Sequence, residues 1–149
     1  MKKCLIVLSL CLLLLFTYSL PVILPNTDKE ITINYFTKGQ YGENSIYLYD
    51  DIYMTTSDYK KGQTTAENLA NIVGISATFK GDYDDMKKVI QKCKVAVKQE
   101  ETVGEVHIIY GISESCGKPV YANGTNINFQ IAIRDNVITV GTPLIMGSY

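Results

Sequence analysis

Asn126-Ile127-Asn128-Phe129-Gln130-Ile131-Ala132-Ile133-Arg134-Asp135-Asn136-Val137-Ile138-Thr139-Val140-Gly141-Thr142-Pro143-Leu144 is the stretch on which the fold turns. Ile127, Phe129, Ile131 and Ile133 alternate with Asn128, Gln130, Ala132 and Arg134. That is the period of a strand with one face buried and the other open to water. Asp135-Asn136 separates it from a second strand over residues 137–144, and both residue types tolerate the backbone angles of a tight hairpin. An antiparallel sheet follows.

Working upstream, strand patterns recur over residues 95–99 and 105–111, with a short one at Val120, and earlier over residues 31–36, 46–49, 52–54 and 75–80. The Asp50-Asp51 step between residues 46–49 and 52–54 reads as a bulge. Asn123-Gly124-Thr125 matches a glycosylation acceptor, but Asn-Gly between strands is first a hairpin turn. Two segments carry a helical period instead. Residues 64–73 open with a Thr64/Glu67 capping box, place Leu69, Ala70 and Val73 on one face, and end at Gly74. After Gly81-Asp82, Met86, Val89, Ile90 and Cys93 form an i, i+3, i+4, i+7 stripe. Asp82, Asp84 and Asp85 crowd its amino end, while Lys87, Lys88, Lys92 and Lys94 lie off the stripe, as the helix dipole favours. The expected fold class is α+β, a two-layer sandwich in which an antiparallel sheet has helices packed on one face.

The amino terminus has a different character. Lys2 and Lys3 precede an apolar run over residues 4–16, followed by Thr17-Tyr18-Ser19 and Leu20-Pro21. This is the pattern of an export signal. Thr17 and Ser19 are spaced for cleavage after Ser19, whereas Val22, Ile23 and Leu24 extend the run towards bilayer-spanning length, so removal and retention as an anchor both stay open. Cys11 lies in mid-run after Leu10, unlike a lipidation site. Residues 1–19 are thus a signal peptide or anchor, residues 20–30 a tether, and residues 31–149 a single domain with room for one core. The expected location is extracytoplasmic.

Charge narrows the partners. Without Lys2 and Lys3, the 14 basic side chains fall to 12 against 15 acidic ones, a net charge of −3, and Arg134 is the only arginine. Nucleic-acid binding draws on clustered Lys and Arg to neutralise phosphates and read bases, so a nucleic-acid partner is not expected. The lysines following Asp82 read as a solvated helix face.

The run Asn128 through Arg134, then Val137-Ile138-Thr139-Val140-Gly141-Thr142-Pro143-Leu144-Ile145 and a terminal Tyr149, resembles the end of YwmB-type proteins. Gly81-Asp82-Tyr83-Asp84-Asp85 entering a helix and the strand over residues 106–113 stand in a similar order in that family. The similarity covers residues 74–149. YwmB-type proteins are exported proteins of spore-forming Gram-positive bacteria with a TATA-box-binding-protein-like fold. The resemblance implies a TBP-like half or abridged repeat, since only residues 31–73 precede the matching part, and a role in the cell envelope linked to sporulation. It supplies no catalytic or ligand residues.

Candidate chemistry is sparse. His107 is the only histidine and Glu105 lies two residues away on one strand face, so together they suggest an acid/base pair for a small extracytoplasmic hydrolase. No serine or cysteine is tied to them and two ligands are too few for zinc, so the pair reads first as structural. Asp82, Asp84 and Asp85 suggest calcium, but the twelfth position from Asp82 is Cys93 rather than Glu, and helix capping accounts for them. Cys93 and Cys116 are candidates for a disulfide in an oxidising compartment, against Cys93 as a small core residue. No cofactor or metal is called for. Tyr47, Tyr49 and Tyr53 remain as a candidate binding face, with Tyr47 and Tyr49 expected on the same side of a strand. The preferred expectation is an exported, non-enzymatic envelope domain that binds a protein, peptide or wall polymer.

Overall fold

The computed structural model describes residues 29–40, 43–59 and 71–145. Its elements are β1 (Ile31–Lys38), β2 (Ile46–Tyr49), β3 (Ile52–Tyr59), β4 (Ile72–Lys80), α1 (Tyr83–Lys92), β5 (Ala96–Val103), β6 (Val106–Ile112), β7 (Val120–Ala122), β8 (Thr125–Ile127), β9 (Phe129–Arg134) and β10 (Val137–Thr142). Eight strands form one sheet in the order β2-β3-β1-β4-β10-β9-β6-β5, and β7 pairs with β8 in a separate ribbon. Every pairing is antiparallel.

Turn chemistry explains the hairpins. Asp135-Asn136 (φ 50° and 58°) and Asn123-Gly124 (φ 49° and 78°) place both central residues at positive φ, the twist that matches paired strands. Asp50-Asp51 does the same (φ 45° and 63°), so it is the turn between β2 and β3 and not a bulge within one strand. Gly104 (φ 61°) and Glu105 close the β5–β6 hairpin.

The expected α+β sandwich is corrected by these strands. Ten strands accompany one ten-residue helix among the described residues, so the molecule is mostly β and the TBP-like half inferred from the resemblance falls with the sandwich. Ile72 and Val73, expected to finish a helix, instead begin β4, where branched side chains pack well on a pleated surface. Asn71 just before them has φ 60°, outside the helical range, while residues 64–70 lie outside the described residues, as do the export segment, most of the tether and Tyr149. β5 also runs on past Gln99 to Val103, and Glu105 falls in the turn rather than at the start of β6.

Helix α1 forms where its stripe predicts. Asp82 Oδ1 accepts hydrogen bonds from the Asp84 and Asp85 amides at 3.0 and 2.9 Å, while Asp85 Oδ2 accepts from the Asp82 amide at 3.4 Å, a reciprocal cap. Its buried side, Met86, Val89 and Cys93, joins Ile33, Tyr35, Ala77, Phe79, Ile131 and Val140 of the sheet in one core cluster. The register accounts for this common face: Ile33 pairs with Ala77, Tyr35 with Ile75, and Val140 with both Ala77 and Ile131.

The opposite face is not left wholly to water. Ile108, Tyr110, Ile127 and Ala132 form a second buried cluster, with Val120, Leu144 and Ile145 packed against it. Alternation breaks between β8 and β9 at buried Asn128, so Ile127 joins this cluster while Phe129 joins the other. Asn128 Oδ1 accepts from the Ser113 amide at 2.8 Å, and its Nδ2 donates to the carbonyls of Ser113 and Gly117 at 2.9 and 2.8 Å. A buried amide with these bonds satisfied fixes the crossover rather than destabilising it.

Candidate functional site

Three groups singled out by sequence occupy three different places. The tyrosines lie at the β2 edge of the sheet, His107 near the β5 edge, and the cysteines at the end of α1.

At the β2 edge, Ile46 is 57%, Tyr47 60% and Tyr49 51% exposed, high values for large side chains on a strand. Tyr47 pairs with Tyr53 on β3, and their rings meet edge to face at 5.4 Å and 71°. Beyond Tyr47 the register shifts, so that Tyr49 stands opposite Ile52. Neighbours across a ladder share a face, and Ile52 and Tyr53 lie on opposite ones. The shift at Leu48 therefore separates Tyr49 from Tyr47: Tyr47 and Tyr53 share one side, and Tyr49 joins Ile46 on the other. The single tyrosine face expected from the alternation is split. The Gly39 amide donates to the Asp51 carbonyl at 2.8 Å and ties the hairpin turn to the end of β1.

His107 is surrounded by its own chain. Nε2 lies 2.8 Å from Glu100 Oε1 and 3.2 Å from the Tyr83 hydroxyl, and Nδ1 lies 3.1 Å from the Thr102 hydroxyl. The carboxylate is Glu100, not the Glu105 that the sequence suggests. Thr102 is the direct partner of His107 across the hairpin and Glu100 stands two residues along on the same face, whereas Glu105 occupies the exposed turn. Tyr83 is the first residue of α1, and Lys87 lies 5.0 Å from the centre of its ring. A proton placed on Nε2 lets the ring donate to Glu100 while Nδ1 accepts from Thr102. The cluster thus clasps the start of α1 to the β5–β6 hairpin, and both ring nitrogens are engaged by the chain itself.

Cys93 caps the end of α1, fully buried, and Cys116 is half-buried; no disulfide joins them. Burial pushes the Cys93 thiol up to about 11, helped by the neighbouring Cys116, whose own value burial also raises. Such thiols are weak nucleophiles. The aspartates at the helix start serve the cap and bind lysines: Asp85 meets Lys29 at 2.7 Å and Lys88 at 3.1 Å, and Asp84 meets Lys87 at 3.4 Å. The hydrogen bond from Lys29, followed by that from Lys88, lowers Asp85 to about 2. Among the described residues, no three metal-ligating side chains converge.

Glu100, Thr102 and Tyr83 were not singled out in the sequence. The period-two spacing of Glu100 and Thr102 would point to them once β5 is extended to Val103, but residues 98–102 offer no apolar alternation to prompt that extension. On the back face, a shallow depression of about 200 Å³ is lined by Ala132, Arg134, Asp135, Val137 and Thr139. Arg134 there pairs with Asp135 at 3.4 Å. In comparisons with known proteins, the chain matches no family model, no curated protein and no solved structure.

Proposed function

We propose that this chain is an exported, non-enzymatic domain of the cell envelope that captures an extended protein or peptide segment along β2. One observation carries the reading. β2 is one of the two terminal strands of the sheet, no described strand pairs with its outer side, and unlike the charged β5 it presents Ile46, Tyr47 and Tyr49 to solvent. An edge of this kind offers backbone donors and acceptors to an added strand, and natural sheets usually blunt such edges with charge, proline or a covering element. A peptide backbone satisfies those groups in register, which favours a protein segment over a wall polymer. The tyrosines then supply rigid contact area on both faces of the added strand.

The export pattern of residues 1–19 supports the extracytoplasmic setting. The likeness of the carboxy-terminal strands to YwmB-type proteins adds sporulating Gram-positive cells as the context. A hydrolase built on Glu105 and His107 gains no support from the arrangement, because the histidine is occupied by Glu100, Tyr83 and Thr102.

Site-specific photocrosslinking in cells tests the proposal. A photoreactive residue at position 47 is expected to give discrete adducts in the extracytoplasmic fraction. The same residue at position 121, where Tyr121 is 76% exposed on β7, is expected to give none. Equal labelling from both positions, or recovery of the protein in the cytoplasm alone, would refute it.

A further inference from the structure

The charge around β2 restricts what can lie against it. Residues 43–59 contain four carboxylates, Glu43, Asp50, Asp51 and Asp58, and neither lysine nor arginine. All four residues are exposed. Asp50 and Asp51 sit in the turn at one end of β2, and Glu43 precedes its other end, so both ends of the strand are acidic. Lys38 is opposite Ile52 on β1, two strands in from the edge; Lys60 and Lys61 come next after β3 in the sequence and lie outside the described residues. Between the acidic ends lies the Tyr47–Tyr53 pair, and tyrosine faces attract cations. The molecule shows that contact elsewhere, in Lys87 over the ring of Tyr83.

We infer that the segment captured at β2 is cationic: an extended peptide with Lys or Arg at alternate positions, placing its charges over Tyr47 and against Asp50, Asp51 and Glu43. This rests on the edge-capture reading and adds the chemistry of the partner. The same charges disfavour a second copy of this chain. Antiparallel pairing of β2 with itself would set the Asp50-Asp51 turn of one molecule beside Glu43 of the other, and like charges brought together at an interface oppose association. An anionic polymer meets the same repulsion.

The test uses three synthetic octapeptides, alternating Lys-Val, Ser-Val and Glu-Val, titrated against the intact protein by fluorescence anisotropy at low and high salt. The Lys-Val probe is expected to bind most tightly and to weaken with salt. The double variant Asp50→Asn, Asp51→Asn keeps two residues that accept positive φ while removing both charges. It is expected to weaken the Lys-Val probe on the order of fivefold, as two exposed ion pairs would, and to leave the Ser-Val probe unchanged. Tyr47→Pro, which removes a backbone donor and the ring from β2, is expected to abolish binding of both while the far-ultraviolet dichroism and urea midpoint stay those of the wild type.

Equal binding of Lys-Val and Ser-Val, with both lost in Tyr47→Pro, would overturn the cationic preference and leave edge capture standing. Lys-Val binding that survives Tyr47→Pro would overturn the placement at β2. A dimer in sedimentation that Tyr47→Pro dissolves would replace the cationic segment with a second copy. Failure of every probe, together with absent crosslinks from position 47, would remove edge capture itself.

Discussion

The two edges of the eight-stranded sheet face the same problem with opposite means. At one end, β5 sets Lys98, Glu100 and Glu101 between the exposed Val97 and Val103, and the helix brings Tyr83 down onto His107 beside it. At the other, β2 carries Ile46, Tyr47, Leu48 and Tyr49, and no described element pairs with it from outside. Charged edge strands resist further pairing, whereas apolar and aromatic ones invite it. Both terminal strands are unpaired on their outer sides among the described residues, but the charges of β5 oppose an added strand, whereas the side chains of β2 do not. A conspicuous histidine-carboxylate pair is the structural feature here, and a plainer run of tyrosines is the better candidate for function.

The comparison assumes that both edges hang from one cooperative core, and Phe129→Ala is the change that breaks it most severely. Phe129 is fully buried in the cluster that contains Tyr35 of β1, Ile109 of β6 and Val89 of α1. Loss of an aromatic side chain from such a site costs about 3–5 kcal/mol. In urea unfolding followed separately by tyrosine fluorescence and far-ultraviolet dichroism, both signals should shift to lower denaturant together. Two separated transitions would show that the edges belong to independent units.

A smaller effect distinguishes the edges by pH. Asp85 stands in the first turn of α1, the helix that brings Tyr83 onto His107, and the Lys29 and Lys88 bonds hold its carboxyl at about 2 in the folded protein against an ordinary value of 3.8. The unfolded chain takes up that proton first on acidification. The stabilisation is complete above the ordinary value and is lost as pH falls towards 2. The melting temperature of the wild type should consequently fall more steeply between about pH 4 and pH 2 than that of Asp85→Asn. Parallel slopes would mean that this carboxylate contributes nothing to holding the helix in place. The comparison rests on slopes because Asp85 also accepts the Asp82 amide in the helix cap.

What could be read in the sequence was local. The Asp135-Asn136 and Asn123-Gly124 turns, the cap at Asp82 and the Met86, Val89, Cys93 stripe depend on residues a few positions apart, and the structure follows them. What escaped was decided across strands. Residues 98–102 have no apolar alternation, and they form a strand because β6 pairs with them, setting Glu100 against Ile109. The Glu100–His107 contact follows from that pairing rather than from sequence spacing. Asp50-Asp51 passed for a bulge because two aspartates form a less familiar hairpin turn than Asn-Gly, and the shift at Leu48 that splits the tyrosines appears only in the register with β3. The candidate site was thus legible in its residue types and location along the chain, but not in which tyrosines share a face.

The finest distinction between the edges lies in two threonines. Thr55 of β3 has a buried hydroxyl for which no partner is found among the described residues, whereas the hydroxyl of Thr102 on β5 lies 3.1 Å from His107 Nδ1. A buried hydroxyl without a partner costs stability, and one with a partner contributes a modest net amount. Replacing each with valine keeps the branched shape that strands favour and removes only the hydroxyl. Thr55→Val should raise stability by up to about 1 kcal/mol. Thr102→Val should lower it by about 0.5 kcal/mol, a small loss because Thr102 is exposed. Urea midpoints measured side by side should move in opposite directions for the same chemical change. If both variants are destabilised, Thr55 has a partner in the folded protein and its edge is as fully satisfied as the other; if both are stabilised, the Thr102 contact adds nothing to the clasp around His107.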